Sequence, residues 1–554
     1  MRSWIGGLIV AVLLGVSGAA AQQRVLVLEG GTLIDGTGRA PIPDAVVVVE
    51  GSRIKAVGRR GQVPVPANGN VINLTGRTIL PGLLDIHVHT QEWHFPMFLH
   101  YGVTTFADLD NDTAWIFAER EMLRNGRMKG PRMFVAGGKL YGPLGNPGGG
   151  PLPQNATVNR TVDEAREHMR SVEALGADYL KIDDTLTYDQ LAAVIEEGKR
   201  TGLKVIGHTQ NIRRAARMGT RFMEHMDTMA RSLLDPDGTK FSLPWYPPRG
   251  GPVELPQVAS ESLINPKQFP PLIDELVKLG VYVNPTMVAE WSAATPRGQQ
   301  LRNEAAQISK DPGLGFVPAK QREVWSGPLV RGRRDGYANV AAFLREYSEA
   351  GGKVVVGTDS SGGQVTIPGL SAHYEMQMLA DVGIPPTKII QGATLWNAEA
   401  IGKDKDLGSV EPGKLADFTI IEGNPLADIS VTKNVRMVIK EGEVMDTKYD
   451  PKWVNPIPQP YTTLPRIRTL SPLMAPQDGP AVTLELEGTG FLPTAVVRFD
   501  NVDLPTHFVS STKLTATVGA QLLHNVGEYP LYVVNAGTHG NVSQSKSFLV
   551  NFKN

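Results

Sequence analysis

Between residues 79 and about 402, short apolar segments alternate with longer stretches that favour helix. Eight of the short segments have the length and composition of buried strands, at residues 83–86, 103–107, 133–136, 179–182, 204–206, 221–223, 281–283 and 354–356. Strands that alternate with helices are typical of a parallel sheet covered by helices. Eight such units in about 320 residues predict an α/β fold of the (β/α)8 TIM barrel type.

The helix signal is clearest at residues 161–175. Thr161 can cap the helix, Glu164 follows three residues later, and apolar residues recur at helical spacing. This pattern is that of a capping box followed by an amphipathic helix.

The barrel segment is flanked by short β-rich segments on both sides. Residues 24–80 contain such segments, broken by turns such as Asp35-Gly36-Thr37-Gly38, and similar segments recur at residues 417–422 and 435–442. Alternating apolar residues with Gly and Asn between them are typical of antiparallel sheets. We interpret residues 22–80 and 403–450 as two parts of one composite β-sandwich, with the barrel at residues 81–402 inserted between them.

The C-terminal part has a different pattern. Residues 451–472 contain repeated prolines without periodicity, which indicates a linker. Alternating strands follow at residues 482–486, 495–499, 513–518, 529–535 and 546–550, with the spacing of a β-sandwich. Residues 473–554 are therefore expected to form an independent all-β, immunoglobulin-like domain that acts as an interaction or packing module.

Residues 1–21 have the layout of a cleaved secretory signal peptide. Arg2 precedes an apolar run at residues 5–16, and small residues end the segment. The run is shorter than the roughly 20 residues that a membrane-spanning helix needs. We expect a secreted or periplasmic protein with no stable membrane anchor after signal removal. Because the chain has no cysteine, disulfides, thiolate metal ligands and cysteine nucleophiles are excluded.

The charge balance bears on the partners of the protein. The formal net charge is -1, and loss of Arg2 with the signal peptide makes it -2. A chain of this charge has no basic field for nucleic acid or an anionic membrane. We expect a small-molecule substrate, no nucleic acid, and assembly into a homo-oligomer.

Six residues that bear metal-binding chemistry fall at the ends of the predicted barrel strands. His87 and His89 close the first strand, where alternation places both imidazoles on one side. The other four close or follow the fourth, fifth, sixth and eighth strands; they are Lys181, His208, His225 and Asp359. The carboxyl ends of the strands build the active site of a TIM barrel. Their coincidence there predicts a metal site.

The ordered set closely resembles the amidohydrolase superfamily. The resemblance covers roughly residues 24–448 and rests on Pro81-Gly82-Leu83-Leu84-Asp85-Ile86-His87-Val88-His89, Gly176-Ala177-Asp178-Tyr179-Leu180-Lys181, Glu224-His225, Gly357-Thr358-Asp359-Ser360 and Gly413-Lys414-Leu415-Ala416-Asp417. Within the superfamily, the chain looks most like the branch that holds prolidase-type dipeptidases and imidazolonepropionase-like proteins. The last domain, with Leu486-Glu487-Gly488-Thr489-Gly490-Phe491 and Gly527-Glu528-Tyr529, resembles an IPT/TIG domain.

The resemblance implies a centre of two divalent metal ions. His87, His89 and Asp359 would hold one ion, and His208 and His225 the other, with Lys181 as a bridging carbamate. A carbamate is anionic and offers two oxygens, whereas an ammonium has no lone pair to give. The alternative for Lys181 is an ammonium paired with Asp183 or Asp184. Imidazole and carboxylate ligands favour zinc, with manganese, cobalt and iron as alternatives.

This centre predicts hydrolysis of an amide or another C–N bond. Two ions about 3.5–4 Å apart can share a water and lower its pKa from 15.7 toward about 7. The resulting hydroxide would attack the carbonyl. Asp359 would take the proton from the nucleophile and deliver it to the leaving amine, while Lys181 and His208 complete the catalytic set. A dipeptide or an N-acyl amino acid is the expected substrate.

Substrate contacts are expected from two places. Lys139 and Tyr141 lie in the glycine-rich loop after the third strand and could bind a substrate carboxylate. His373, after the eighth strand, is a further candidate. The prolidase-like branch often carries Gly-Gly-His in the loop after the third strand, whereas this chain has Gly148-Gly149-Gly150, which leaves dipeptide specificity open.

Two other functions are compatible with the sequence. The same centre could attack a lactone, an ester or a cyclic imide. Alternatively, the barrel could be catalytically silent in a binding protein whose sandwich serves adhesion or carbohydrate contact.

Overall fold

The computed structural model describes residues 25–143, 157–238, 261–327, 336–360, 363–457, 465–491, 495–500, 502–535, 543 and 545–552. The predicted signal peptide and residues Gly148 to Gly150 lie outside these ranges. None of the helices within them is both long enough and apolar enough to cross a membrane.

The described chain begins with six strands. They are β1 (Val25–Glu29), β2 (Thr32–Leu33), β3 (Ala45–Glu50), β4 (Arg53–Arg59), β5 (Asn70–Asn73) and β6 (Arg77–Pro81). One sheet has the order β4-β3-β1-β5, and alternate residues of its strands face the core of this part of the chain.

The eight predicted barrel segments each contain a strand. In chain order these eight strands are β7 (Leu83–Val88), β8 (Val103–Asp108), β9 (Arg132–Val135), β12 (Leu180–Ile182), β13 (Val205–Gly207), β14 (Phe222–Glu224), β15 (Tyr282–Asn284) and β16 (Lys353–Val354). Two further strands of two residues each, β10 (Leu140–Tyr141) and β11 (Thr157–Val158), lie between β9 and β12. All of these strands pair in parallel, as β7-β8-β9, β11-β10-β12-β13 and β14-β15-β16. The first and last strands are also joined, because His89 N donates to Ser360 O at 2.9 Å.

Fourteen helices in the described ranges accompany these strands. They are α1 (Phe95–His100), α2 (Thr113–Arg124), α3 (Val162–Ala174), α4 (Tyr188–Thr201), α5 (Ile212–Met218), α6 (Asp227–Leu234), α7 (Phe269–Lys278), α8 (Met287–Glu290), α9 (Pro296–Ile308), α10 (Ala319–Ser326), α11 (Tyr337–Glu349), α12 (Leu370–Asp381), α13 (Pro386–Gly392) and α14 (Leu395–Ala400). The capping box predicted for α3 is confirmed, since the Thr161 side chain accepts from Glu164 N and the Glu164 side chain accepts from Thr161 N.

Alternation along the strands determines which side chains reach the site. Tyr179, Ile206 and Phe222 share one buried apolar cluster with residues of the first, third and last strands. Side chains two positions further along each strand point the same way. In each of these three strands, the residue two positions after the apolar layer therefore lies at the same end of the sheet.

The segment that follows the barrel adds strands to the N-terminal part of the structure. It contributes β17 (Phe418–Glu422), β18 (Val435–Lys440) and β19 (Glu443–Val444), which extend a second sheet of order β19-β18-β17-β6-β2. Phe418 pairs with Pro81 and Glu422 with Arg77 in an antiparallel ladder. Residues from both flanks thus share one hydrophobic core.

The C-terminal domain is a two-sheet sandwich. Its strands are β20 (Arg466–Ser471), β21 (Met474–Pro476), β22 (Val482–Thr489), β23 (Ala495–Phe499), β24 (Val502–Asp503), β25 (Thr506–Ser510), β26 (Lys513–Val518), β27 (Gly527–Asn535) and β28 (Lys546–Asn551). The sheets have the orders β20-β22-β26-β25 and β21-β28-β27-β23-β24. All five predicted strand segments of this domain contain a strand.

The segment interpreted as a linker has structure at both ends. Arg466–Ser471 forms β20, because Ile467 and Leu470 are buried in the sandwich and the strand pairs with β22. At the other end, Trp115 Nε1 donates to Ile457 O at 2.9 Å, and the Asn455 amide donates to Glu92 O at 2.9 Å. Residues up to 457 therefore pack against the barrel.

Candidate metal centre

The first half of the centre consists of His87, His89 and Asp359. Asp359 Oδ1 lies 3.3 Å from His87 Nε2 and 3.1 Å from His89 Nε2. Each residue offers one ligand atom, and these atoms all lie within 4.8 Å of one another. Two imidazoles and a carboxylate at this separation suit one divalent ion.

The second half lies directly beside the first. The ring centroids of His208 and His225 are 4.9 Å apart, and the His225 ring is 5.2 Å from that of His87. Lys181 is 2% exposed and lies next to His208. The structure therefore brings all six predicted ligands together at the carboxyl ends of their strands.

Glu224 is a member of the cluster that the sequence analysis did not single out. Its side chain is fully buried, and its carboxylate contacts the Lys181 ammonium. Lys181 therefore pairs with Glu224, whereas Asp183 and Asp184 were the partners considered from sequence. The signal was present in the strand alternation: Phe222 faces the interior, so Glu224 points inward as well.

Two of the predicted ligands have a left-handed backbone. The φ angle is 58° at His225 and 52° at Asp359, and Thr286 beside His225 has a φ of 46°. This conformation costs a non-glycine residue on the order of 1–3 kcal/mol, and such residues cluster at functional sites. At β14 the turn lets His225 join the same cluster as its neighbour Glu224, although consecutive strand residues normally face opposite sides.

Asp85 holds the first and last strands together beneath the ligands. Its carboxylate accepts hydrogen bonds from Thr358 N at 3.1 Å and from Thr358 Oγ1 at 2.6 Å. Burial raises the pKa of Asp85 to about 7, against the effect of these hydrogen bonds. The contact fixes Asp359, the next residue, beside His87.

The electrostatics differ between the four imidazoles. Burial acts to lower the pKa values of His89 and His208, but the carboxylates beside them outweigh it and raise both, that of His208 to about 9. Burial lowers the pKa of His225 to about 3 and also lowers the pKa of His87, so both rings are neutral at pH 7 and keep a lone pair. Burial acts to raise the pKa values of Asp359 and Glu224, but the neighbouring histidines, and for Glu224 also Lys181, outweigh it and hold both well below the usual range. A divalent ion requires neutral imidazoles and ionised carboxylates, so metal binding would release a proton from His89 and from His208.

The predicted substrate contacts of the third loop lie at the rim of the centre. Lys139 Nζ is 3.0 Å from Asp183 Oδ2 and 4.6 Å from the centroid of the Tyr141 ring. Asp183 Oδ2 is in turn 3.7 Å from His208 Nδ1. Lys139 is therefore linked to the second half of the centre through one carboxylate.

His373, the third predicted substrate contact, is not brought into this cluster by the contacts of its ring. It is fully buried, with Nε2 2.8 Å from Tyr101 O and Nδ1 3.0 Å from Thr432 Oγ1, so both ring nitrogens are engaged by the protein. Glu375, two residues on, accepts hydrogen bonds from Met287 N at 2.9 Å and from Val288 N at 2.7 Å. It thereby anchors the start of α8.

Helix α8 carries a second carboxylate that the sequence analysis did not consider. Glu290, at the end of α8, has a carboxylate oxygen within 4.8 Å of ligand atoms of His225 and Asp359. It is partly exposed, whereas the Glu224 side chain is buried.

Comparison with known proteins identifies two family patterns in this chain. The model of the amidohydrolase family matches residues 78–445. The model of the IPT/TIG domain matches residues 465–552.

Individual relatives are distant but cover most of the chain. Imidazolonepropionase of Pseudomonas fluorescens is 23% identical over 413 residues, which cover 70% of this chain and 90% of that protein. Two solved structures share the fold. A Xaa-Pro dipeptidase with bound methionine in the active site has a TM-score of 0.54 at 23% identity and covers 76% of this chain and 100% of its own. Molinate hydrolase has a TM-score of 0.56 at 21% identity, and the match covers 77% of this chain and 95% of that protein.

Proposed function

Because the chain belongs to the amidohydrolase family and is thus a hydrolase acting on C–N bonds, we propose that it cleaves a small amide substrate with a binuclear metal centre. One observation carries the proposal. Two imidazoles and a carboxylate converge within 4.8 Å in one group, and the rings of His208 and His225 lie beside that group.

His87, His89 and Asp359 would hold one divalent ion, and His208 and His225 the second. Zinc is the metal that we expect, and a carbamate on Lys181 would link the two ions. Burial lowers the pKa of Lys181, although Glu224 opposes the shift, and a lowered pKa favours the neutral amine that reacts with carbon dioxide. Two such ions lower the pKa of water and polarise a carbonyl.

Asp359 is suited to move the proton of the reaction. Its Oδ1 faces both histidines of the first group, and its low pKa keeps the carboxylate ionised near neutral pH. It can therefore accept a proton from the nucleophile and return it to the leaving amine. His208 supports the second half, with Asp183 behind its Nδ1 atom to orient the ring.

A dipeptide or an N-acyl amino acid is the substrate class that we propose. The Xaa-Pro dipeptidase among the solved structures supports an amide substrate. Lys139 and Tyr141 at the rim would bind its carboxylate. A lactone, an ester or a cyclic imide is the alternative electrophile for the same centre.

The wider setting of the enzyme is also part of the proposal. We take the eight parallel strands as one closed (β/α)8 barrel, supported by the bond between His89 N and Ser360 O. The signal-like sequence at residues 1–21 supports a secreted or periplasmic location. We further expect a homo-oligomer.

A substrate screen tests this function. Purified protein would be assayed with Xaa-Pro and Xaa-Arg dipeptides, N-acyl amino acids, lactones and esters, before and after treatment with a chelator. We expect turnover of an amide substrate that the chelator abolishes and added zinc restores. Turnover that the chelator leaves unchanged would contradict a metal-dependent reaction.

A further inference from the structure

Glu224 is a buried carboxylate in contact with both halves of the centre. Its Oε1 lies 3.1 Å from His87 Nδ1, and its Oε2 lies 3.0 Å from His208 Nε2 and contacts Lys181 Nζ. Among the described residues, Oε1 is buried without a well-formed hydrogen bond. A fully buried carboxylate with an unsatisfied oxygen is costly unless a cation or a donor compensates it.

In this structure the Lys181 ammonium and the His208 imidazole, whose pKa is raised to about 9, both contact the Glu224 carboxylate. A metal ion would require His208 to be neutral. The proposed function, on which this inference rests, also removes the ammonium, because it converts Lys181 into an anionic carbamate. Glu224 would then face a second anion with two imidazoles beside it. The positive charge that compensates it must then come from the metal ions.

A charge count leads to the same result. Two divalent ions bring four positive charges, whereas Asp359, a Lys181 carbamate and a shared hydroxide together supply three negative charges. Uncompensated charge at a buried site is unfavourable. Glu224 supplies a fourth negative charge at a position where no solvent reaches its side chain.

We infer that Glu224 is a seventh protein ligand of the centre, which gives Oε2 to the ion held by His208 and His225. Its ligand atom groups with those of His87 and His225 within 4.8 Å. Its Oε1 lies 3.1 Å from His87 Nδ1, which leaves His87 Nε2 for the first ion. The residue thus couples the two halves of the centre.

The competing explanation is that Glu224 only orients its neighbours. Loss of an outer hydrogen bond to a metal ligand costs roughly 10–100-fold in metal affinity. Loss of a ligand to the second ion has to exceed that range for this ion. The affinity of the second ion therefore separates the two roles.

The test compares the wild type with Glu224→Gln, which keeps the shape and removes the charge. Stripped protein would be titrated with zinc and with cobalt in bicarbonate buffer, and bound metal counted by mass spectrometry. We expect the variant to keep the first ion, to bind the second more than 100-fold more weakly, and to lose part of the cobalt visible absorption. Binding of the second ion within 100-fold of wild-type affinity would overturn the inference.

Two controls isolate the effect. The first is Glu197→Gln, which makes the same change at a buried carboxylate on the outer helices. Glu197 Oε1 pairs with Arg170 at 2.8 Å, and the variant protein should bind two ions as the wild type does. Labelling with ¹³C-bicarbonate shows by NMR whether Lys181 still carries the carbamate in Glu224→Gln. A retained carbamate signal together with a lost second ion assigns the loss to Glu224.

If Glu224→Gln does not fold, as judged by circular dichroism, Glu224→Asp takes its place. The shorter side chain keeps the charge but withdraws the oxygens, so a shifted cobalt spectrum is expected, and an unchanged one would overturn the inference. If the wild type binds two ions and Glu224→Gln binds the second with an affinity within 100-fold of the wild type, this inference alone is refuted. A wild type that binds none refutes the proposed function as well.

Discussion

The hydroxyl of Thr286 lies 2.6 Å from Nδ1 of His225. Such a contact fixes the orientation of the ring, so that Nε2 can face a metal ion. Thr286 is fully buried and has a left-handed backbone, with a φ of 46°. The chain thus places a strained residue where its hydroxyl can orient a ligand.

Replacement of this hydroxyl should weaken metal binding without loss of the fold. Thr286→Val is nearly isosteric and removes only the contact to His225. We expect affinity for the second ion to fall about 10–100-fold, measured by zinc titration. Thr104→Val is the matched control, because the Thr104 hydroxyl is buried without a hydrogen-bond partner among the described residues. Equal affinities in the two variants would contradict an orienting role for Thr286.

Asp359→Asn should abolish turnover while the protein stays folded. The amide cannot accept the proton from the nucleophile, and it binds metal more weakly than the carboxylate. We expect kcat to fall by about 10³-fold or more, in line with losses of general acid–base residues together with metal ligands. Steady-state kinetics at saturating zinc measures the loss. Turnover within tenfold of the wild type would remove Asp359 from the reaction.

Lys181→Ala tests the carbamate. The variant leaves space beside His208 and Glu224 that a short carboxylate can fill. We expect activity to be lost and then partly restored by added acetate or propionate, whereas the Asp359→Asn variant should gain nothing from either anion. Full activity of Lys181→Ala without any added anion would show that the lysine is dispensable.

A buried carboxyl far from the centre should make stability depend on pH. Glu119 of α2 is fully buried, and burial raises its pKa to about 8, against the effects of Asn455 and Trp115. The folded state therefore holds this proton more tightly than the unfolded chain, whose pKa is near 4.5. The stability contributed by the protonated carboxyl is complete below pH 4.5 and is lost as the pH rises through about 8.

Glu119→Gln removes this dependence because the amide does not ionise. Its Tm should exceed that of the wild type by about 3 °C or more at pH 8.5, and the gap should shrink at pH 5. Glu121→Gln, on the exposed side of the same helix, is the control and should leave the pH dependence of Tm unchanged. A gap of the same size at both pH values would contradict the burial argument.

The barrel strands could be predicted because their signal is local. Each is a short buried run, and the six ligands follow from their positions at the ends of those runs. β20 could not be assigned in the same way, because prolines surround it and its buried residues, Ile467 and Leu470, are three apart rather than two. A register irregularity at residues 467–469 accounts for that spacing, and pairing with β22 supplies the stabilisation.

The centre itself was only partly predictable. Glu224 follows the same alternation as Lys181 and His208, but the adjacent His225 was predicted as the ligand after this strand. Only the left-handed turn at His225 lets Glu224 and His225 both join the cluster. For His373, in contrast, the sequence predicted a site residue that the structure places outside the cluster. Its position after the last strand suggested a site residue, whereas long-range contacts to Tyr101 and Thr432 bury it outside the centre.

Anomalous diffraction at the zinc edge from crystals of the zinc-loaded wild type tests the central claim most directly. The account predicts two peaks, one among His87, His89 and Asp359 and the other between His208 and His225. A single peak, or none within reach of these side chains, would contradict a binuclear centre.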